Sequence, residues 1–189
     1  MCFGLSDRTD LIMEIPYQCL MEKNKGIKVL DEKGFGDGSL ELKWRFIENG
    51  NCSCALKTGI SLPTGDHDKG LGNDNVNYSL YFITTIGTKK NALHFNAGYD
   101  RNKNDFDEEE NLWHFSMAVE RELTEKLKFA ADIGIERNPD KDSGGDPMFF
   151  LAGLIYSITE NTSVDLGFKL GLTDEETDRS LMAGLTLCF

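Results

Sequence analysis

The stretch Ser39-Leu40-Glu41-Leu42-Lys43-Trp44-Arg45-Phe46-Ile47-Glu48-Asn49-Gly50-Asn51-Cys52-Ser53-Cys54-Ala55-Leu56-Lys57-Thr58-Gly59-Ile60-Ser61-Leu62 decides the fold. Leu40, Leu42, Trp44 and Phe46 share one face, and Glu41, Lys43 and Arg45 share the other. Beyond a turn at 47–51, Cys52, Cys54, Leu56, Thr58, Ile60 and Leu62 alternate with Ser53, Ala55, Lys57, Gly59 and Ser61. A period of two marks strands, and Asn-Gly between two such runs marks a hairpin.

The same reading extends along the chain. Leu93, Phe95, Ala97 and Tyr99 oppose His94, Asn96, Gly98 and Asp100, and Trp113, Phe115, Met117 and Val119 oppose His114, Ser116, Ala118 and Glu120. Leu127, Phe129, Ala131, Ile133 and Ile135 oppose Lys128, Ala130, Asp132, Gly134 and Glu136, and Val164, Leu166, Phe168 and Leu170 oppose Asp165, Gly167 and Lys169. Residues 11–17, 76–87, 148–158 and 179–189 alternate less cleanly. The expectation is about ten strands plus a stub at Phe3 to Leu5, in one all-β, antiparallel up-and-down domain spanning 1–189. Strands of roughly 9–12 residues suit a tilted crossing of a bilayer better than a soluble domain, where five or six is usual.

Composition narrows the function classes. Of 189 residues, 20 are Lys or Arg and 32 are Asp or Glu, a formal charge of −12. No basic stripe exists to displace counterions from phosphates, which argues against nucleic acid as a partner. The longest apolar run, Met148 to Tyr156, is too short for a spanning helix. Glycine is abundant (19) and proline scarce (4), as tight hairpins require.

Connections alternate between short (6–10, 47–51, 87–91, 122–126, 159–162) and long (18–36, 62–75, 101–111, 138–146, 172–178). The long ones carry +1, −2, −3, −2 and −4, so −10 of the −12 sits at one end. Short turns at one end and long loops at the other are the pattern of an outer-membrane β-barrel. Like charges in Asp105 to Glu110 and Asp174 to Asp178 are expected to repel and hold these loops extended. The acidic rim is expected to meet lipopolysaccharide through divalent cations, which favour carboxylate oxygens.

A soluble or periplasmic β-barrel binding a small ligand inside would also alternate. Three features favour the membrane. Charges sit midway along the polar face, and the expected registers place Glu41 opposite Lys57 and Glu120 opposite Lys128. Trp44, Phe46 and Tyr156 fall toward the short turns, while Tyr17, Tyr78, Tyr99 and Trp113 fall toward the long loops, as two interfacial belts would. The chain ends in Gly184-Leu185-Thr186-Leu187-Cys188-Phe189, similar to the terminal signal read by the barrel assembly machinery, with Gly184, Leu187 and Phe189 carrying it. The expected lumen-lining residues are Glu41, Lys43, Arg45, Lys57, Asp100, Glu120, Lys128, Asp132, Glu136, Asp165 and Lys169.

Catalytic, metal and cofactor chemistry finds little support. His114 and Ser116 share a face with Asp100 nearby, but residues two apart on a strand stand ~6–7 Å apart, too far for an activated hydroxyl. Cys2, Cys19, Cys52, Cys54 and Cys188 form no zinc or redox spacing with one another or with His67, His94 and His114. The loops at 66–74 and 140–146 lack EF-hand spacing and read as solvated. No catalytic residue, metal or cofactor is expected.

The runs FGLSDRTDLIMEIPY (3–17), GFGDGSLELKWRF (34–46), KTGISLPTGD (57–66), KGLG (69–72) and NAGYDR (96–101) resemble the meta-pathway phenol-degradation family of outer-membrane β-barrel proteins. The resemblance implies an outer-membrane barrel of about twelve strands that passes small, often aromatic, molecules, with motifs that are structural and supply no catalytic residue. It further implies that a signal peptide and a first strand precede Met1-Cys2-Phe3-Gly4-Leu5, which reads as the end of a strand entering the SDRTD turn.

Overall fold

The computed structural model describes residues 1–24, 27–88 and 90–187. Thirteen strands follow one another: β1 Cys2–Ser6, β2 Thr9–Glu14, β3 Tyr17–Asn24, β4 Ile27–Phe35, β5 Gly38–Asn49, β6 Cys52–Leu62, β7 Asn77–Gly87, β8 Asn91–Arg101, β9 Asn111–Glu122, β10 Leu127–Glu136, β11 Met148–Thr159, β12 Thr162–Gly171 and β13 Arg179–Leu187. Eleven of them form one antiparallel sheet in the order β1-β2-β5-β6-β7-β8-β9-β10-β11-β12-β13. The up-and-down meander expected from the alternation is therefore present. The sheet is not closed: β1 and β13 are its edges.

One expectation is corrected. Residues 18–36, read as a loop, carry most of a separate two-stranded hairpin, β3 with β4. Its mixed sequence lacks the polar–apolar contrast that marks the other strands, although Asn24-Lys25-Gly26 contains turn-forming residue types.

The short turns are built by local chemistry. Ser6, Thr88, Thr124 and Thr159 each accept a hydrogen bond through Oγ from the amide two residues on, at 3.2–3.3 Å. Such hydroxyl-capped turns need no special backbone angle. The fifth turn instead uses Gly50, whose φ of 58° is the left-handed conformation that glycine adopts without strain.

The faces of the sheet are inverted relative to an ordinary globular domain. Trp44 is 51% exposed, Phe82 44%, Phe115 52% and Leu181 73%. Among the described residues, the buried apolar side chains are few and small or lie in the loops: Ala55, Leu71 and Pro147. Phe189 of the expected assembly signal lies outside the described residues; Gly184 and Leu187 lie on β13.

Candidate functional site

Backbone register places all eleven expected lining residues on the same face. One row of paired positions runs Asp10, Lys43, Lys57, Tyr81, Gly98, His114, Glu136 across β2, β5, β6, β7, β8, β9 and β10. A second row runs Ala118, Asp132, Leu151, Lys169 across β9 to β12. Arg45, Glu41, Asp100, Glu120, Lys128 and Asp165 fall in neighbouring rows of the same parity.

The expected ion pairs form, though not in the expected register. Glu41 pairs across the backbone with Gly59, and Lys57 with Lys43. Lys57 Nζ reaches Glu41 diagonally, at 2.8 and 3.0 Å from its two carboxylate oxygens. Lys128 likewise stands opposite Glu122 and meets Glu120 diagonally at 3.7 Å. Both slips are two residues, which keeps every side chain on its face. For β5 and β6 the cause is local: Asn49 pairs directly with Cys52, and a bulge between Arg45 and Ile47 returns one step.

The upper part of the polar face is a connected belt. Lys57 Nζ sits 4.9 Å from the Tyr81 ring centroid, and Tyr81 donates its hydroxyl to Asp100 Oδ2 at 2.6 Å. The His114 ring lies 6.0 Å from that of Tyr81, and His114 Nδ1 is 3.4 Å from Glu136 Oε2. A cavity of about 310 Å³ opens along the belt, lined in part by Glu41, Lys57, Tyr81, Asp100 and Arg101. Glycine makes the belt possible. A Cβ on Gly98 would lie 2.6 Å from Tyr81 Cδ1, and one on Gly134 would lie 2.6 Å from Phe149 Cζ. Tyr81 and Phe149 can therefore lie flat across the neighbouring strand, where van der Waals contact would otherwise forbid it.

A lower cluster follows. Thr85 Oγ1 meets His94 Nδ1 at 2.9 Å, and His94 Nε2 stands 3.9 Å from Glu120, which also receives Lys128. Asn96 donates to Ser116 Oγ at 3.0 Å. The trio weighed for catalysis is thus dispersed: Asp100 bonds Tyr81, Ser116 bonds Asn96, and His114 faces Glu136.

The long-loop end corrects the picture of repelling, extended loops. Asp105 accepts from Asn75, Asp107 pairs with Lys141, Glu108 accepts from Asn102, Glu109 pairs with Arg137, and Glu110 pairs with Arg101. Three of these five carboxylates meet a residue outside their own 101–111 loop, so the acidic run ties segments together. Lys141 holds the exposed Asp107 carboxyl below the usual carboxylate range, and Asp107 in turn raises Lys141.

Beneath that rim, segments far apart in sequence form one knot. Asp37 accepts the Gly65 amide at 2.8 Å and the Asn73 amide at 2.7 Å. Thr64 Oγ1 accepts from the Gly38 amide at 2.7 Å and donates to the Gly36 carbonyl at 3.3 Å. Leu71, 3% exposed, plugs the centre. A Cβ on Gly65 would fall 2.8 Å from Gly72 Cα, so only glycines allow the two chains to meet. Alternation could not find Asp37, which lies outside the regular strand pattern; Tyr81 was hidden because it puts an aromatic ring on the polar face.

The fold and this wall define a class: an antiparallel up-and-down β-meander with an apolar exposed face and a charged, internally paired face. The family model described as "Putative MetA-pathway of phenol degradation" matches residues 3–189. The chain belongs to that family, and of the runs that resemble it, 34–46 and 57–66 supply Asp37 and Gly65 of the knot and Glu41 and Lys57 of the belt. No curated protein matches the chain.

Proposed function

We propose that this sheet is the wall of an outer-membrane β-barrel of about twelve strands, a channel or transporter for small, aromatic or hydrophobic molecules. The observation that carries this reading is the inversion of faces: large apolar side chains such as Trp44, Phe82 and Phe115 stay exposed while charged ones pair on the opposite side. Exposed apolar area on this scale is costly in water and favourable against acyl chains. In an eleven-strand up-and-down ladder the first and last strands run the same way, and one further strand between them joins both edges antiparallel. Closure removes the free edges that hydrocarbon does not tolerate.

In this reading the short turns face the periplasm, the long acidic loops face outward toward lipopolysaccharide, and the assembly machinery inserts the barrel. The family's name supports a link to phenol degradation, and with it a small-molecule solute. Conductance of the full chain in planar bilayers tests it. Discrete steps whose ion selectivity shifts toward cations when Lys57 and Lys128 become Ala would support the reading. A chain that stays monodisperse without detergent and carries no current would replace it by a soluble ligand-binding barrel.

A further inference from the structure

We propose a binding site for a small monocarboxylate with an apolar body at the short-turn end of the polar face, formed by Arg8, Lys43 and Arg45. A cavity of about 410 Å³ lies there, and these three cations line it together with Asp7 and Asp10. Ala55 and Ile83 supply apolar lining beside the charges.

The polar face neutralises its lysines elsewhere. Lys57 has Glu41 at 2.8 Å, Lys128 has Glu120 at 3.7 Å, and Lys169 has Glu176 at 2.8 Å. Among the described residues, Lys43 has no carboxylate within 4.0 Å, although Asp10 is its backbone partner on β2. Its partner on the other side is Lys57, a like charge directly opposite, which is unfavourable until an anion intervenes. Lys57 leans away toward Glu41, which leaves the Lys43 ammonium to the cavity.

Arg45 lines the same cavity. Its Nη2 donates to the Asp7 carbonyl at 2.6 Å, which fixes the guanidinium at the β1–β2 turn. Its Nε is shut off from solvent and ion-paired with Glu48 at 3.5 Å.

Charge selects the ligand class. With Arg45 paired to Glu48, the Lys43 ammonium is left as one lining cation without a carboxylate within 4.0 Å among the described residues, which suits a monoanion, whereas a phosphate dianion would meet Asp7 and Asp10 as well. The Ala55 and Ile83 lining suits a hydrophobic body beside the carboxylate. The site requires that solute reach the polar face, and so rests on the reading of that face as a lumen, but binding can be measured without current.

The experiment is calorimetric titration of the full chain in detergent with benzoate, with benzyl alcohol and inorganic phosphate as controls. Wild type should bind benzoate saturably, phosphate more weakly, and benzyl alcohol not at all. Lys43→Gln should weaken benzoate about tenfold and Lys43→Arg should restore it, as for loss of one hydrogen bond to a charged group. Asp10→Asn should tighten it several-fold, because it removes a negative charge from the cavity lining. Retained β-sheet circular dichroism shows that each variant is folded. Unchanged benzoate affinity in both Lys43→Gln and Asp10→Asn, or equal binding of benzyl alcohol, would overturn the site. A conducting barrel with that result loses only the site, whereas absence of conductance with intact benzoate binding removes the channel and keeps it.

Discussion

The two faces of the same strands follow opposite rules. On one, Leu154, Leu166 and Phe168 lie exposed; on the other, Asp132 and Lys169 share one row, and Asp165 shares another with Lys128. The apolar face leaves its large side chains exposed, while the polar face pairs charges within the sheet. The same alternation that builds a half-buried soluble strand describes, in the proposed barrel, a lipid-facing wall, and only exposure separates the two cases.

Swapping a charge between faces should break this contrast most strongly. Leu154→Arg places a charge midway along the exposed apolar face of β11, and should cost about 2–4 kcal/mol of membrane-folded stability. Ile155→Arg, one residue on, faces Lys128 and Asp165 on the polar side and should cost less than half of that. Urea titrations into liposomes measure both.

Glycine substitutions sharpen the polar side. Gly98→Ala should cost roughly 1–3 kcal/mol by forcing Tyr81 off the neighbouring strand. Gly98→Ala combined with Tyr81→Ala should be less destabilised than the sum of the two single changes, because the clash is gone. Gly134→Ala should act in the same way through Phe149.

At the knot, Asp37→Ala removes the acceptor of two amides and should cost about 1–3 kcal/mol locally. Hydrogen exchange should accelerate at the Gly65 and Asn73 amides, with the β9–β12 amides unaffected.

The smallest effect belongs to the rim. Asp107 carries a lowered folded pKa, so the stability from its pair with Lys141 is present above the usual carboxylate range and is lost as pH falls through the folded value. Lys141 is raised, so its share is present below its ordinary value near 10.5 and is lost as pH rises through the folded value. The pair is exposed, so screening keeps its contribution small. Melting curves of Asp107→Asn against wild type should differ slightly at neutral pH and converge once the pH has fallen below the lowered folded value of Asp107.

Much of this was legible where polar and apolar residues contrast. In β5, β6, β8, β9, β10 and β12 the alternation assigns each residue a face, and it places all eleven expected lining residues on one side. Height along the strand was not legible. A bulge at Arg45 and Ile47 and a two-residue turn at Gly50 and Asn51 moved Glu41 away from Lys57 by two positions, and nothing in the pattern announces a bulge. β11 alternates weakly because Phe149 and Leu151 occupy the polar face, lying over Gly134 and Gly167. The Asp37 knot depends on hydrogen bonds between segments 28 and 36 residues apart, a distance at which local periodicity carries no information.

Fluorescence quenching of Trp44 and Trp113 tests the central claim most directly. Both side chains stand on the apolar face, one toward each end of the strands, packed against Phe46 and Phe115. Single-tryptophan variants, Trp113→Phe and Trp44→Phe, would be folded into vesicles containing lipids brominated along the acyl chain. The account predicts strong quenching of each remaining tryptophan by brominated lipid and weak quenching by aqueous iodide. Full quenching by iodide with none from brominated lipid would contradict it, because the exposed apolar face would then be in water.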